Sequence, residues 1–436
     1  MIYSKKQLHS QKESLLFCIS CKKVGGAERR LLNLIHQVIR LKPEANIKLL
    51  LTRDLYNEYQ KDSQLATLIN NDRIHLYFAN WPGEYSKKGI YINKLVSLFL
   101  RLTKTFKLKS YLRNDLENRA KSSNQEYKNS LNLSKISRSS WVKDIVNATK
   151  PGDHVHCFIG NIERNGGVLA SQFNRKVVIE VTGNRLIPKI VSDLNVLVSN
   201  IGVCHNLHFV CVSKTVYENF TSSLTYDFLN KYKISCTYYK SPCLFQECHQ
   251  ISTSEKRKNI IVFAHRFVPH KNAKIFSRVI AEMYELGELK DWQVHFRGSG
   301  PEEVVVRDTL KSAISNGYVQ VGWSSNLESE LQEAKIFVSI IGTGSYPSQS
   351  VFQAMRSGNL LLLGNTGETV DKFQHQDIYF TDIIKSNIIK SLKKMIKDCE
   401  NETLFKRKSE AMQQFYKDID SKSSQAEELV NIHALI

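Results

Sequence analysis

Short, continuous apolar runs, each followed by an amphipathic stretch, recur along this chain and start afresh after its midpoint. The first series occupies 15–19, 47–51, 74–78, 154–158, 177–181 and 209–212. The second occupies 260–263, 292–296, 318–321, 336–341 and 360–363. A strand buried on both faces reads as unbroken hydrophobicity rather than alternation, and helices between such strands cover the sheet. The pattern therefore predicts two doubly wound α/β domains with parallel sheets, facing each other. A polar, Ser- and Lys-rich stretch at 250–258 reads as the linker between them. In sheets of this kind ligands bind at the carboxyl ends of the strands, so the loops there are where chemistry is to be sought.

A chain of 436 residues is long enough for two such cores. Its 61 Lys and Arg against 42 Asp and Glu leave a formal charge of +19, which calls for an anionic partner but does not bear on fold. The nine cysteines are odd in number and mostly embedded in apolar runs, as at Cys211, so a reduced, cytoplasmic setting is expected. The opening residues lack an apolar core, and no signal peptide is expected. The stretch 194–213 is uncharged, yet its Asn, Ser and His residues argue against a membrane span.

Four motifs follow apolar runs. Gly25, Gly26 and Glu28 open a helix whose apolar positions include Leu31, Leu34, Ile35 and Val38. The glycines permit close backbone approach and Glu28 complements the helix dipole, although a Gly-Gly pair alone is often only a turn. Arg266 and Lys271 flank 267–270 directly after the strand 260–264, where they can clamp a diphosphate or simply sit in a solvated loop. Gly298 and Gly300 follow the run 292–296 as a second site of close approach or a plain turn. Finally the run 336–341 leads through Ser345, Ser348, Gln349 and Ser350 into a helix carrying Gln353. A strand, a tight loop and a helix start gather N–H groups and a positive dipole end, which suits a phosphate. No Asp or Glu lies between Lys335 and Gly367, so any role needing a carboxylate there is unfilled.

From Lys87 to Arg113 there are eight basic residues, among them Lys94, Arg101, Lys104 and Lys107, and no acids. Ile92, Leu95, Phe99, Leu102 and Phe106 recur at helical steps between them. An apolar stripe on a basic helix predicts contact with an anionic membrane surface, the alternative being a surface helix buried on its apolar side. No nucleic-acid recognition module is present, so no nucleic-acid partner is expected. No His, Cys or carboxylate cluster has metal-ligand spacing. His154 and His156 share one face of a strand and read as histidines beside a core.

Taken in order, Gly25-Gly26-Ala27-Glu28, the Arg266 to Lys271 segment, Gly298-Ser299-Gly300-Pro301 and the loop-helix from Ser345 to Met355 resemble family 4 retaining glycosyltransferases. Val212-Ser213-Lys214 is similar to the family's segment near the end of the first domain. The resemblance implies a GT-B fold, with two doubly wound Rossmann-like domains facing a central cleft. It implies an acceptor-binding domain at 1–248, a nucleotide-sugar-binding domain at 249–415 and a last helix, 416–436, crossing back.

It further implies a hexosyltransferase-type enzyme of cell-surface polysaccharide synthesis (lipopolysaccharide or capsule), peripheral on the inner face of the cell membrane. The donor is a nucleotide-diphosphate sugar and the acceptor a lipid-linked carrier or glycan. No cofactor or metal is required, because Arg266 and Lys271 neutralise the diphosphate. Gly298, Gly300, Ser345, Ser348, Gln349, Ser350 and Gln353 fall at donor positions, and Gly25, Gly26 and Glu28 on the acceptor side. Two glutamates usual in the family, eight positions apart, are here Ser345 and Gln353, and a customary His is here Thr182. Those departures keep open a non-catalytic, partner-binding scaffold, and an epimerase on the same fold is a further alternative.

Overall fold

The computed structural model describes residues 14–21, 24, 26–79, 136, 140–158, 160–242, 257–324, 326–342, 348–366, 368–420 and 424–435. The chain divides into two compact units, Met1–Tyr239 with Leu429–Ile436, and Lys240–Glu428.

In the first unit, seven strands form one sheet: β1 (Ser14–Ile19), β2 (Asn46–Thr52), β3 (Ile74–Ala79), β4 (His154–Cys157), β5 (Lys176–Val181), β6 (Leu207–Cys211) and β7 (Ser235–Tyr238). Their order is β3-β2-β1-β4-β5-β6-β7, and every pairing is parallel. The direction of winding reverses between β1 and β4, where Leu15 faces His154 and Cys18 faces Cys157 in register. The helix Gly26–Leu41 buries Leu31, Leu34, Ile35 and Val38, as its 3–4 spacing requires. Thr52 ends β2 and caps the next helix, Arg53–Gln60, accepting from the Leu55 N–H at 3.2 Å.

The second unit repeats the plan with β8 (Lys258–Ala264), β9 (Gln293–Arg297), β10 (Val319–Gly322), β11 (Ala334–Ser339), β12 (Leu360–Gly364) and β13 (Tyr379–Thr381). Its order is β10-β9-β8-β11-β12-β13, again all parallel, with the reversal between β8 and β11. Alternate residues feed two cores. Phe263, Phe276, Trp292, Phe296 and Leu392 lie on one face, and Val262, Phe337, Phe352, Leu361 and Met412 on the other. Each sheet also holds an edge strand that hydrophobicity did not reveal. β7 is half-exposed and β13 has three residues, so neither carries a buried run long enough to stand out. Among the described residues no helix is long and apolar enough to cross a membrane.

Candidate functional site

In a doubly wound sheet the loops leaving the two central strands part to opposite faces, and the gap lies beyond their carboxyl ends. In the second unit those strands are β8 and β11. β8 runs into the loop 265–272, whose Phe267 is fully buried with its ring 6.5 Å from that of Phe296. That anchor leaves the preceding residue, Arg266, exposed. Lys271 is half-buried at the loop's other end, where Asn272 adopts φ 58° and starts the helix Ala273–Glu285.

Backbone bonds lace this loop to its neighbours. The His265 N–H donates to Arg297 O at 3.0 Å, Phe267 N–H to Ser299 O at 2.9 Å and Glu302 N–H to Phe267 O at 3.0 Å. On the other side Gly342 N–H donates to His270 O at 2.9 Å, and the Asn272 side chain to Ile340 O at 2.7 Å. The two glycines after β9 are steric requirements of this lacing. At Gly298 (φ 152°) a Cβ would stand 2.0 Å from His265 O, and at Gly300 (φ 155°) 2.4 Å from Phe267 O.

The helix Gln349–Ser357 begins beside the same strand end. The Ser350 hydroxyl donates to Ala264 O at 3.1 Å and lies 2.8 Å from the Ser348 hydroxyl. Ser348 stands at the N-cap with extended φ and ψ, yet its side chain makes no capping bond. The first N–H groups of any helix lack an intrahelical acceptor, so this start presents donors and a positive dipole end. Gln349 and Gln353 are one turn apart on one helix face, and Gln349 Oε1 is buried without a hydrogen-bond partner.

His265 adds no positive charge to the cations beside it. Burial, then Lys271 and His270, hold its imidazole well below its ordinary range and therefore neutral. Arg266, Lys271, Gly298, Gly300, Ser348, Gln349 and Ser350 thus share one set of interlocked loops at the β8–β11 switch point. Such a cradle of cations and N–H groups can hold a diphosphate and stabilise it as a leaving group. Ser345 lies outside the described residues. So do Gly25 and the basic positions Lys94, Arg101, Lys104 and Lys107.

The first unit is assembled differently around its own switch point. Gly26 begins its helix, and Glu28 is buried with its backbone oxygen accepting from the Tyr59 hydroxyl at 3.2 Å. Next to the end of β1, the Ser20 hydroxyl donates to Glu163 Oε2. The other oxygen of Glu163 accepts from the Gly160 N–H. A Cβ at Gly160 would lie 2.2 Å from Ser20 Oγ, so glycine is needed for this clasp to close. Burial pushes the Glu163 carboxyl up to about 7.

Arg30, on the inner face of the first helix, pairs with the fully buried Glu180 of β5 and lies 4.7 Å above the Phe158 ring. His156 Nε2 stands 3.6 Å from the second Glu180 oxygen. Sequence reading missed Ser20, Arg30, Glu163 and Glu180. The one local signal was charge in apolar company: Arg30 on a helix's buried stripe and Glu180 inside a strand run.

No family model matches the chain, and no curated protein matches it in sequence. Solved structures do match along nearly its whole length. A glycosyltransferase from Rickettsia africae is 12% identical with a TM-score of 0.58, covering 97% of this chain and 98% of that one. HepE of Anabaena, in complex with UDP-glucose, is 14% identical with a TM-score of 0.60, covering 96% and 99%. A TarM mutant from S. aureus, in complex with UDP among other ligands, is 10% identical with a TM-score of 0.63, covering 97% and 99%. At such identities the likeness is one of architecture, and two parallel sheets of seven and six strands in these orders give this chain the GT-B fold of glycosyltransferases.

Proposed function

We propose that the chain is a retaining glycosyltransferase that moves a sugar from a nucleotide-diphosphate donor to a lipid-linked or glycan acceptor in cell-surface polysaccharide synthesis. The observation that carries this reading is the convergence of Arg266, Lys271, Gly298, Gly300 and an uncapped helix start on one switch point of the second unit. The UDP-glucose of HepE and the UDP of TarM support a uridine diphosphate sugar as donor.

In the proposed reaction the bond between the sugar's anomeric carbon and the diphosphate breaks, and a bond from the acceptor oxygen to that carbon forms. The acceptor's hydroxyl proton leaves with the diphosphate. Arg266 binds phosphate oxygens through its planar fork and Lys271 as a point charge, so the growing negative charge is met without a metal. Gly298 and Gly300 allow the close loop packing that sets the segment bearing Arg266 and Lys271 beside the donor. Gln353, at the position of a customary glutamate, holds the ribose hydroxyls by neutral hydrogen bonds, at a cost of about 1 kcal/mol relative to a charged acceptor. The acceptor is assigned to the first unit, beside Gly25, Gly26 and Glu28. The acid-free basic run 87–113 supports a lipid-linked acceptor and a peripheral site at the inner membrane face.

UDP-glucose turnover by the full chain is the test. Arg266→Ala and Lys271→Ala are each expected to lower it roughly 10²–10³-fold; unchanged turnover in both sinks the assignment. A second reading, a scaffold that has lost catalysis, draws on the absent glutamates at Ser345 and Gln353. Calorimetry with a panel of nucleoside diphosphates separates the two, since a scaffold binds none of them.

A further inference from the structure

The last helix, Gln425–Leu435, has its start in the second unit and its end in the first. Near its start the Glu428 carboxylate accepts from the N–H groups of Lys240 and Ser241, at 2.7 and 2.8 Å. Its other end buries Leu429, Ile432 and His433. His433 does not meet an apolar floor. Its Nδ1 stands 3.3 Å from Nδ1 of His154, with the rings edge to face at 5.2 Å, and its centroid is 5.8 Å from that of His156. Both strand histidines are buried on β4, and His156 is fully enclosed with neither ring nitrogen hydrogen-bonded. The Nε2 of His433 likewise has no hydrogen-bond partner.

Two facing Nδ1 atoms at this distance make one hydrogen bond if one ring supplies N–H and the other a lone pair. A further proton on the accepting ring would set two N–H groups and a new charge against each other in a buried site. At His433 the neighbouring side chains oppose such a charge. His208 on β6 and Lys176 on β5 both act on His433 in the same unfavourable sense as His154 and His156. The carboxylate of Glu180 lies near His156 but is already paired with Arg30 of the first helix.

We propose that His433, set against His154 and His156, forms a pH-sensitive latch, which holds the end of the last helix onto the first unit while His433 is uncharged and releases it when His433 is protonated. Burial, followed by the neighbouring histidines, places the imidazole of His433 well below its ordinary range when docked. The released helix therefore takes up a proton more readily than the docked one. Docking is fully supported above the unfolded histidine range, about 6.5, and weakens as pH falls below it. Each proton taken up on release costs about tenfold in the docking equilibrium per pH unit.

Hydrogen exchange of the full chain, at about pH 8 and about pH 5.5 and corrected for intrinsic rates, tests this. Peptides from 425–435 are expected to lose about tenfold or more in protection at the lower pH, while β2 holds its own. His433→Phe keeps a ring in the site without a titrating nitrogen, so its helix protection should be equal at both pH values. Equal protection in the wild-type chain overturns the latch, as does a His433→Phe variant that loses protection as steeply as wild type. Should His433→Phe also unprotect β2, His154→Gln decides. A smaller pH response of the helix than in wild type supports the latch, and an unchanged one overturns it.

Discussion

The switch points of the two sheets are built from opposite materials. At the β8–β11 point the chain is tied by main-chain bonds between loops, glycines allow the approach, and Arg266 is left at the surface. At the β1–β4 point the ties run between buried polar and charged side chains from distant parts of the chain, Ser20 to Glu163 and Arg30 to Glu180. A site built from main-chain bonds does not depend on buried charged side chains for its shape. A site held by buried carboxylates has spent them on its own structure, and its rigidity depends on their charge state.

The contrast can be broken most sharply at its two strongest ties. Gly298→Ala forces a Cβ against His265 O and should destabilise the second unit by roughly 5 kcal/mol, leaving the first unit's exchange protection intact. Glu180→Ala removes the carboxylate that pairs with the buried Arg30 and should cost the first unit about 3–5 kcal/mol, read by urea titration with exchange in β4 and β5. If either loss spread equally to both units, the idea of two separately built sites would fail.

A finer test uses pH. The folded Glu163 carboxyl titrates at about 7, above its value of 4.5 in the unfolded chain. Its contribution to stability is therefore complete below about 4.5 and is lost as pH rises through about 7, a change of ~3 kcal/mol. Glu163→Gln should flatten that part of the stability profile and be the more stable chain at pH above about 8. An unaltered profile would mean that the clasp does not titrate. The smallest effect is expected at Ser350→Ala, which removes the hydroxyl bond to Ala264 O and should cost ~1 kcal/mol, with the proposed UDP-glucose turnover lowered only a few-fold.

Legibility in the sequence followed the same division. The second site is made of contiguous segments, so Arg266 with Lys271, Gly298 with Gly300, and Ser348 with Ser350 could each be read as a unit. What stayed hidden was the lacing itself, such as Asn272 on Ile340 O, because a main-chain acceptor leaves no mark on the sequence. In the first unit the partners of each tie are 143 and 150 residues apart, and nothing local joins Ser20 to Glu163 or Arg30 to Glu180. The two strand histidines were read as core residues, and both are buried, but their partner His433 lies 279 residues beyond His154.

By itself the sequence determined the class of fold, since unbroken apolar runs alternating with amphipathic helices have few other ways to be buried. It also determined which short segments carry charge and glycine at strand ends. The tertiary structure alone decided the strand order, and with it the two switch points, because order depends on how crossovers pack rather than on any one segment. It also decided which buried charges meet. A charge in an apolar run demands a partner wherever the fold can supply one, and only the folded chain shows where that is.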